Sequence, residues 1–413
     1  MSSRIYFDHS ATTPLDPRVF EAMEPFLRGA FGNPSSRHHE GRIVRSAVET
    51  ARAQVAELIG ARPEEIVFTA SGTEADNLAL IGAVRASGQP GHVVTSSIEH
   101  AAVLETCRFL AASGTKVTHL PVDGDGVVAL ADLLRALESS ATIVSIMAAN
   151  NVVGTLEPIE ELAYFSRLHG VLFHTDAVQA GGKIPLDVNR LHVDLLSLSA
   201  HKLHGPKGIG ALYVREGTPL SPIVFGGGQE RGLRSATENV AAIVGFGAAA
   251  ALAKAELEEE SRRLAGFRDY LVAELRRRAP QVYFFGHATN RLPGHLSLGF
   301  HGLERDVNAL IVALDAAGVA VSAGSACSAH HSGEPSGVLL AMGYGADEAR
   351  GLIRISLGRF NSQPEVERFV EILIRVLASL DRTMIPVAAP RFDEARFAEA
   401  RFAEETFAEG RLA

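Results

Sequence analysis

The chain has no tryptophan and only two cysteines, Cys107 and Cys327, in 413 residues. So few thiols exclude a disulfide-stapled secreted scaffold and favour a reducing, cytoplasmic setting. The first residues form neither a basic n-region nor an apolar h-region, so no secretory leader is expected. Long basic runs are missing and the net charge is −9, which argues against nucleic acid and anionic membrane as main partners. The longest apolar run, 240–253, is rich in alanine and glycine and shorter than a membrane span, so it reads as a buried core helix. What is present, 46% hydrophobic and 21% charged residues, is ordinary globular composition long enough for two or three domains.

Apolar spacing then sets the order of elements. Val44, Val48 and Val55 recur at helical spacing among charges over 40–58. Strand-like runs at 66–69, 92–95, 116–120, 143–146 and 171–174 alternate with helical patterns at 102–112, 130–137 and 160–168. Such alternation predicts an α/β fold, a mostly parallel sheet with helices on both faces. Over 254–278, Leu264, Phe267, Leu271 and Leu275 mark a charge-laced helix leaving one domain for another. The expected division is a large domain over 15–255 and a smaller α+β domain from 1–14 and 256–385. After 386 the phenylalanines Phe392, Phe397, Phe402 and Phe407 repeat every five residues. Five helical residues advance the direction by about 140°, so these rings form no stripe. The segment 386–413 reads as a low-complexity appendage.

Residues suited to chemistry follow the strand-like runs. After 66–69 comes Ser71-Gly72-Thr73-Glu74 and then a helical run, an entry whose free N–H groups and dipole suit an anion. His100, after 92–95, is placed to stack on a flat ring, and Asn150-Asn151 follows 143–146. Asp176 ends the next strand, with Gln179 three residues on, and then comes Ser199-Ala200-His201-Lys202. A lysine amine paired with a buried carboxylate is what pyridoxal phosphate (PLP) requires, for its Schiff base and its protonated ring nitrogen. Lys207 competes for that role, but its Gly-Pro-Lys-Gly setting reads as a turn.

Cys107 and Cys327 sit in unlike surroundings. Cys107 lies in an apolar helical pattern, whereas Gly324-Ser325-Ala326-Cys327-Ser328 reads as an exposed loop suited to a nucleophile. Cys327 with His330 and His331 also suggests a metal site, but a closed tetrahedral site needs further ligands, and no metal is expected. Arg354, in the strand-like Leu352-Ile353-Arg354-Ile355, suits a bidentate grip on a carboxylate; a surface ion pair is the plainer reading.

Taken in order, Asn33-Pro34-Ser35-Ser36, 69–80, Glu99-His100, Asn150-Asn151, 176–183, 197–210, 226–237 and Gly324-Ser325-Ala326-Cys327 resemble the cysteine desulfurases, a class V aminotransferase-like family of PLP enzymes. The resemblance runs from Tyr6-Phe7-Asp8 to about Phe360 and leaves out the tail. It implies a homodimer of fold type I, with a seven-stranded type of sheet and shared active sites. By position Lys202 is the Schiff-base lysine, Asp176 the ring-nitrogen partner and His100 the stacking residue. Asn151 and Gln179 flank the ring hydroxyl. Gly72, Thr73, Ser199 and His201 match phosphate-side positions, and Thr237 matches a threonine that reaches the neighbouring subunit's phosphate. Asn33, Asn151 and Arg354 match substrate contacts, and Cys327 matches the cysteine that takes sulfur from L-cysteine as a persulfide, leaving alanine. The long loop around Cys327 resembles the branch that supplies iron–sulfur scaffolds and tRNA thiolation. Three features depart from the pattern: Val152 in place of a glutamate, His9-Ser10, and His330-His331. A selenocysteine lyase or another C–S lyase that does not need Cys327, and a non-catalytic subunit of the same fold, remain as alternatives.

Overall fold

The structure, a computed structural model, describes residues 4–88, 90–323 and 334–381. The described residues up to Leu377 form one compact unit. The chain opens with β1 (Ile5–Tyr6) and α1 (Pro17–Arg28), where Asp16 caps the helix by accepting from Arg18 N at 2.9 Å. Next comes α2 (His39–Leu58), one residue longer at its start than the valine spacing indicates.

A seven-stranded sheet follows, built from β2 (Ile66–Thr69), β3 (His92–Ser96), β4 (Lys116–Leu120), β5 (Ile143–Ser145), β6 (Leu172–Asp176), β7 (Leu195–Ser199) and β8 (Gly210–Val214). Between these strands lie α3 (Gly72–Ala86), α4 (Ala101–Ala112), α5 (Leu130–Leu137) and α6 (Ile159–Leu168). The strand order is β2-β8-β7-β6-β5-β3-β4, and only β8 runs against the others. The α/β reading with a mostly parallel sheet therefore holds. Inner strands such as β3, β7 and β8 are buried throughout, as a sheet covered on both faces requires. Edge strand β4 is partly exposed and opens on Lys116, which blunts the edge.

The apolar run 240–253 and the charged run 254–278 form one helix, α7 (Val240–Arg278). No glycine–proline break separates them; only the surroundings change. The first part buries Ile243, Phe246, Ala249 and Ala250 as it packs on α1 and α2. Gly247 explains the small residues: a Cβ there would lie 2.5 Å from Ala51 Cα. By length and composition α7 is long and apolar enough to cross a membrane, but α1 and α2 cover its apolar part.

The C-terminal half holds β9 (Val282–Phe285), β10 (His295–Phe300), α8 (Val307–Ala316), β11 (Val319–Ala320), α9 (Gly337–Ala341), α10 (Ala346–Arg350), β12 (Ile353–Ser356) and α11 (Gln363–Asp381). β10 is the centre of an antiparallel sheet ordered β12-β10-β9. The N-terminal residues pair with this half: Ile5 opposite Val319, and Asp8 bridging Ser356.

One buried ion pair ties α2 to a distant turn. Arg52 donates to both carboxylate oxygens of Glu230, at 2.8 and 2.7 Å, and to Ile66 O at 2.9 Å. Phe68 N also donates to Glu230, so the turn at Glu230 and Arg231 (φ 48° and 58°) is held against β2. Removing one partner strands the other charge in the interior. Arg52→Met is expected to lower unfolding stability by roughly 3 kcal/mol in a urea melt. Arg190→Met, which breaks a contact to Glu160 exposed on both sides, is expected to leave the midpoint unchanged.

Candidate active site

Because β2, β3, β5, β6 and β7 run the same way, their carboxyl ends share one edge of the sheet. The chain steps outward in opposite directions from β3, to β4 on one side and β5 on the other, and ligands bind at such switch points. Gly72 follows β2, His100 follows β3, Asn150 and Asn151 follow β5, Asp176 ends β6, and Lys202 follows β7. At Gly72 the approach is close: a Cβ would lie 2.7 Å from Val178 Cγ2 and 3.4 Å from Ser199 Cβ. The N-terminus of α3 is thereby seated against the ends of β6 and β7.

Lys202 is buried on a short turn, Ala200–Lys202. Its Nζ donates to Ser10 O and, at 2.8 Å, to Ala11 O. The N-terminal segment is locked over this turn, since Thr13 N donates to His201 O at 3.1 Å. His201 sits against Thr12 Oγ1 at 3.2 Å, and burial with Lys202 nearby lowers it to about 4. Lys207, by contrast, is exposed. His100 caps α4, its Nδ1 accepting from Ala102 N at 3.1 Å, so a neutral ring carries its proton on Nε2.

Asp176 is buried and accepts from Val178 N at 2.9 Å. Burial raises its pKa, while His100 and Lys202 pull it back. Beneath it lies a polar cluster that the sequence reading missed. His174 Nδ1 meets Ser145 Oγ at 2.8 Å and its Nε2 meets Ser197 Oγ at 3.0 Å, 3.6 Å from Asp76 Oδ1. Burial holds His174 down to about 3, so the ring is neutral. Burial, then the charge of Asp176, raises Asp76 well above the ordinary value of a carboxyl, so the two titrate as an interacting pair. A signal existed: Ser145, His174 and Ser197 interrupt three neighbouring apolar strands.

Arg354 lies on β12, fully buried, which overturns the surface ion-pair reading. Nη1 donates to Asn151 O at 3.0 Å and Nη2 to Asp8 Oδ1 at 2.9 Å, while Nε has no partner. Val152 is buried and offers its carbonyl to His295 Nε2 at 2.9 Å, so an apolar side chain suits the position. Gln179 donates to Ser10 O at 2.9 Å. Thr73 and Thr237 are exposed, as is Asn33, whose side chain accepts from Ser35 N at 2.9 Å. No contact joins Asn33 or Thr237 to Lys202 among the described residues. Cys327, His330 and His331 lie outside the described residues, as does 386–413. Cys107 is buried and burial pushes its thiol up to about 12, consistent with an inert core cysteine. No cluster of metal-binding side chains occurs among the described residues.

Residues 5–369 match the family described as aminotransferase class-V. The chain belongs to that family. It is 46% identical to cysteine desulfurase IscS of Dictyoglomus turgidum, over 94% of this chain and 97% of the relative. A solved NifS-like protein superposes with a TM-score of 0.84 at 39% identity, over 91% of this chain and all of the other. The structure of SspA in complex with cysteine superposes with a TM-score of 0.76 at 36% identity, over 87% of this chain and 100% of the other. The donor set of this class-V site fits PLP on its own terms. The seated helix N-terminus suits a phosphate, the buried carboxyl of Asp176 suits a ring nitrogen, and Lys202 supplies the amine.

Next to His100, the carboxyl of Glu99 is buried on β3's exit. Its Oε1 accepts from Ser96 Oγ and from Met147 N at 3.0 Å, while Oε2 has no partner. Burial pushes it up to about 8. The folded protein therefore holds a proton that the unfolded chain releases above its ordinary value of 4.5. Stability from this group is present below that value and is lost as pH rises to about 8, at up to about 1.4 kcal/mol per pH unit. Glu99→Gln is expected to flatten this slope, so that its advantage over wild type grows from pH 6 to pH 8 (roughly this window) in urea melts.

Proposed function

We propose that this chain is a PLP-dependent cysteine desulfurase that takes sulfur from L-cysteine onto Cys327. The observation that carries the reading is the meeting of Lys202, Asp176 and His100 at the strand ends, in a chain whose relatives include cysteine desulfurase IscS. When bound, PLP supplies an electrophilic carbon for the amine and a ring that draws electrons from the substrate's α-carbon. Lys202 would hold the cofactor and move the proton at the substrate's α-carbon. Asp176 would keep a proton at the ring nitrogen, and His100 would face the ring. Gly72, Thr73, Ser199 and His201 are assigned to the phosphate, with Thr237 reaching across a homodimer. Gln179 and Asn151 are assigned to the ring hydroxyl.

Arg354 has a buried Nε with no partner, a donor suited to the substrate carboxylate, and Asn33 and Asn151 are assigned beside it. The Cys327 thiolate attacks the substrate sulfur. An S–S bond forms as the C–S bond breaks, its electron pair passes to the β-carbon, and protonation there leaves alanine. The persulfide goes on to an iron–sulfur scaffold or another sulfur acceptor in the cytoplasm. We assign 15–255 to the large domain and 1–14 with 256–385 to a small domain carrying the cysteine loop.

The test is alanine and sulfide release from L-cysteine by the PLP-loaded protein under reducing conditions. Lys202→Ala is expected to cut alanine formation by at least about a hundredfold. Cys327→Ala is expected to abolish it. Full turnover by Cys327→Ser would instead establish a lyase that needs no thiol.

A further inference from the structure

Lys183 has no role in the steps above, yet hydrogen bonds connect it to Lys202. Its Nζ donates to Gln179 Oε1 at 3.0 Å. Gln179 Nε2 donates to Ser10 O at 2.9 Å, and the same carbonyl accepts from Lys202 Nζ. The chain therefore runs from Lys183 through the Gln179 amide and the Ser10 carbonyl to Lys202. A charged lysine has donors only, so the Gln179 oxygen faces Lys183 while its NH₂ faces Ser10 O. Without that donor the amide loses one of the two hydrogen bonds that orient it and keeps the one to Ser10 O.

The two lysines also line one small cavity of about 60 Å³, with His9, Ser10, His204 and, from α7, Glu260. Neither His100 nor Asp176 lines it, so it approaches Lys202 from a side other than the assigned ring site. The groups facing Lys183 are mostly cationic or neutral. Lys202 and Arg354 act on it directly, and His9, His201, His204 and His295 feel its charge, with Glu260 the acidic side chain on the cavity wall. Burial, then Lys202 and Arg354, bring Lys183 down to about 7, so its charge changes near neutral pH.

We propose that Lys183 is a positioning residue, whose ammonium helps hold the Gln179 amide with its NH₂ on Ser10 O and whose charge keeps the nitrogen of Lys202 unprotonated. The inference rests on Lys202 being the cofactor-binding lysine. A like charge opposes protonation of its neighbour, so removing it raises the neighbour's proton affinity. The test is a pH titration of the visible absorbance of the PLP-loaded protein. Lys183→Met is expected to move the midpoint upward by about one pH unit, tenfold in proton affinity. Lys183→Arg, permanently charged, is expected to titrate at or below wild type. A PLP-loaded Lys183→Met protein with the wild-type midpoint overturns this inference alone. Should Lys183→Met fail to fold, an upward shift in Lys183→Arg overturns it. A wild-type protein that takes up no PLP overturns the cofactor reading and this inference with it.

Discussion

Parallel strands release their chains on the same side, and in this molecule that constraint assembles the site. β2, β3, β5, β6 and β7 each end at one edge of the sheet, and each exit carries a side chain with a distinct chemical capacity. Gly72 brings helix N–H groups, His100 a flat ring, Asn150 and Asn151 amides, Asp176 a carboxyl and Lys202 an amine. The reversed strand β8 sits outside this set, between β2 and β7, and closes the sheet without adding a residue to it. The same edge is covered by the N-terminal segment, whose carbonyls at Ser10 and Ala11 receive the lysine.

Placing such groups in an apolar interior has a cost that the surrounding network lowers. Burial raises both Asp176 and Asp76, and the neutral His174 with Ser145 and Ser197 sets polar groups beside the pair. Arg354 is buried with a salt bridge to Asp8, and a backbone carbonyl, that of Asn151, takes a second hydrogen bond. One side of the guanidinium is left over. Such partly satisfied buried groups are expensive in a structure that binds nothing and useful in one that binds an anion.

The alternating sheet was legible in the sequence because buried strands and amphipathic helices differ in period and composition. The limits of β4 and α5 follow from the pattern, and β5 and β6 differ by one or two residues at their ends. α7 did not read as one helix because its surroundings change midway, and β1 is too short to carry an alternation. At the site, Lys202 and His100 were readable because each closely follows a strand-like run, and Asp176 because it ends one. Asp76, Glu99 and the contact of Lys183 with Gln179 were not, because they depend on which strands and turns lie side by side. Arg354 read equally well as a surface residue until its strand was seen to be covered.

The clasp between Asp8 and Arg354 joins positions 346 apart in the chain. Loop closure over such a span is slow to form and is complete only when both ends exist. A chain that has the β2–β8 sheet but not yet β12 can hold its N-terminal segment only through the turn at His201 and through Gln179. The carbonyls that hold Lys202 thus gain their tie to β12 only late, and a truncated chain lacking β12 would keep the sheet-edge residues without that clasp.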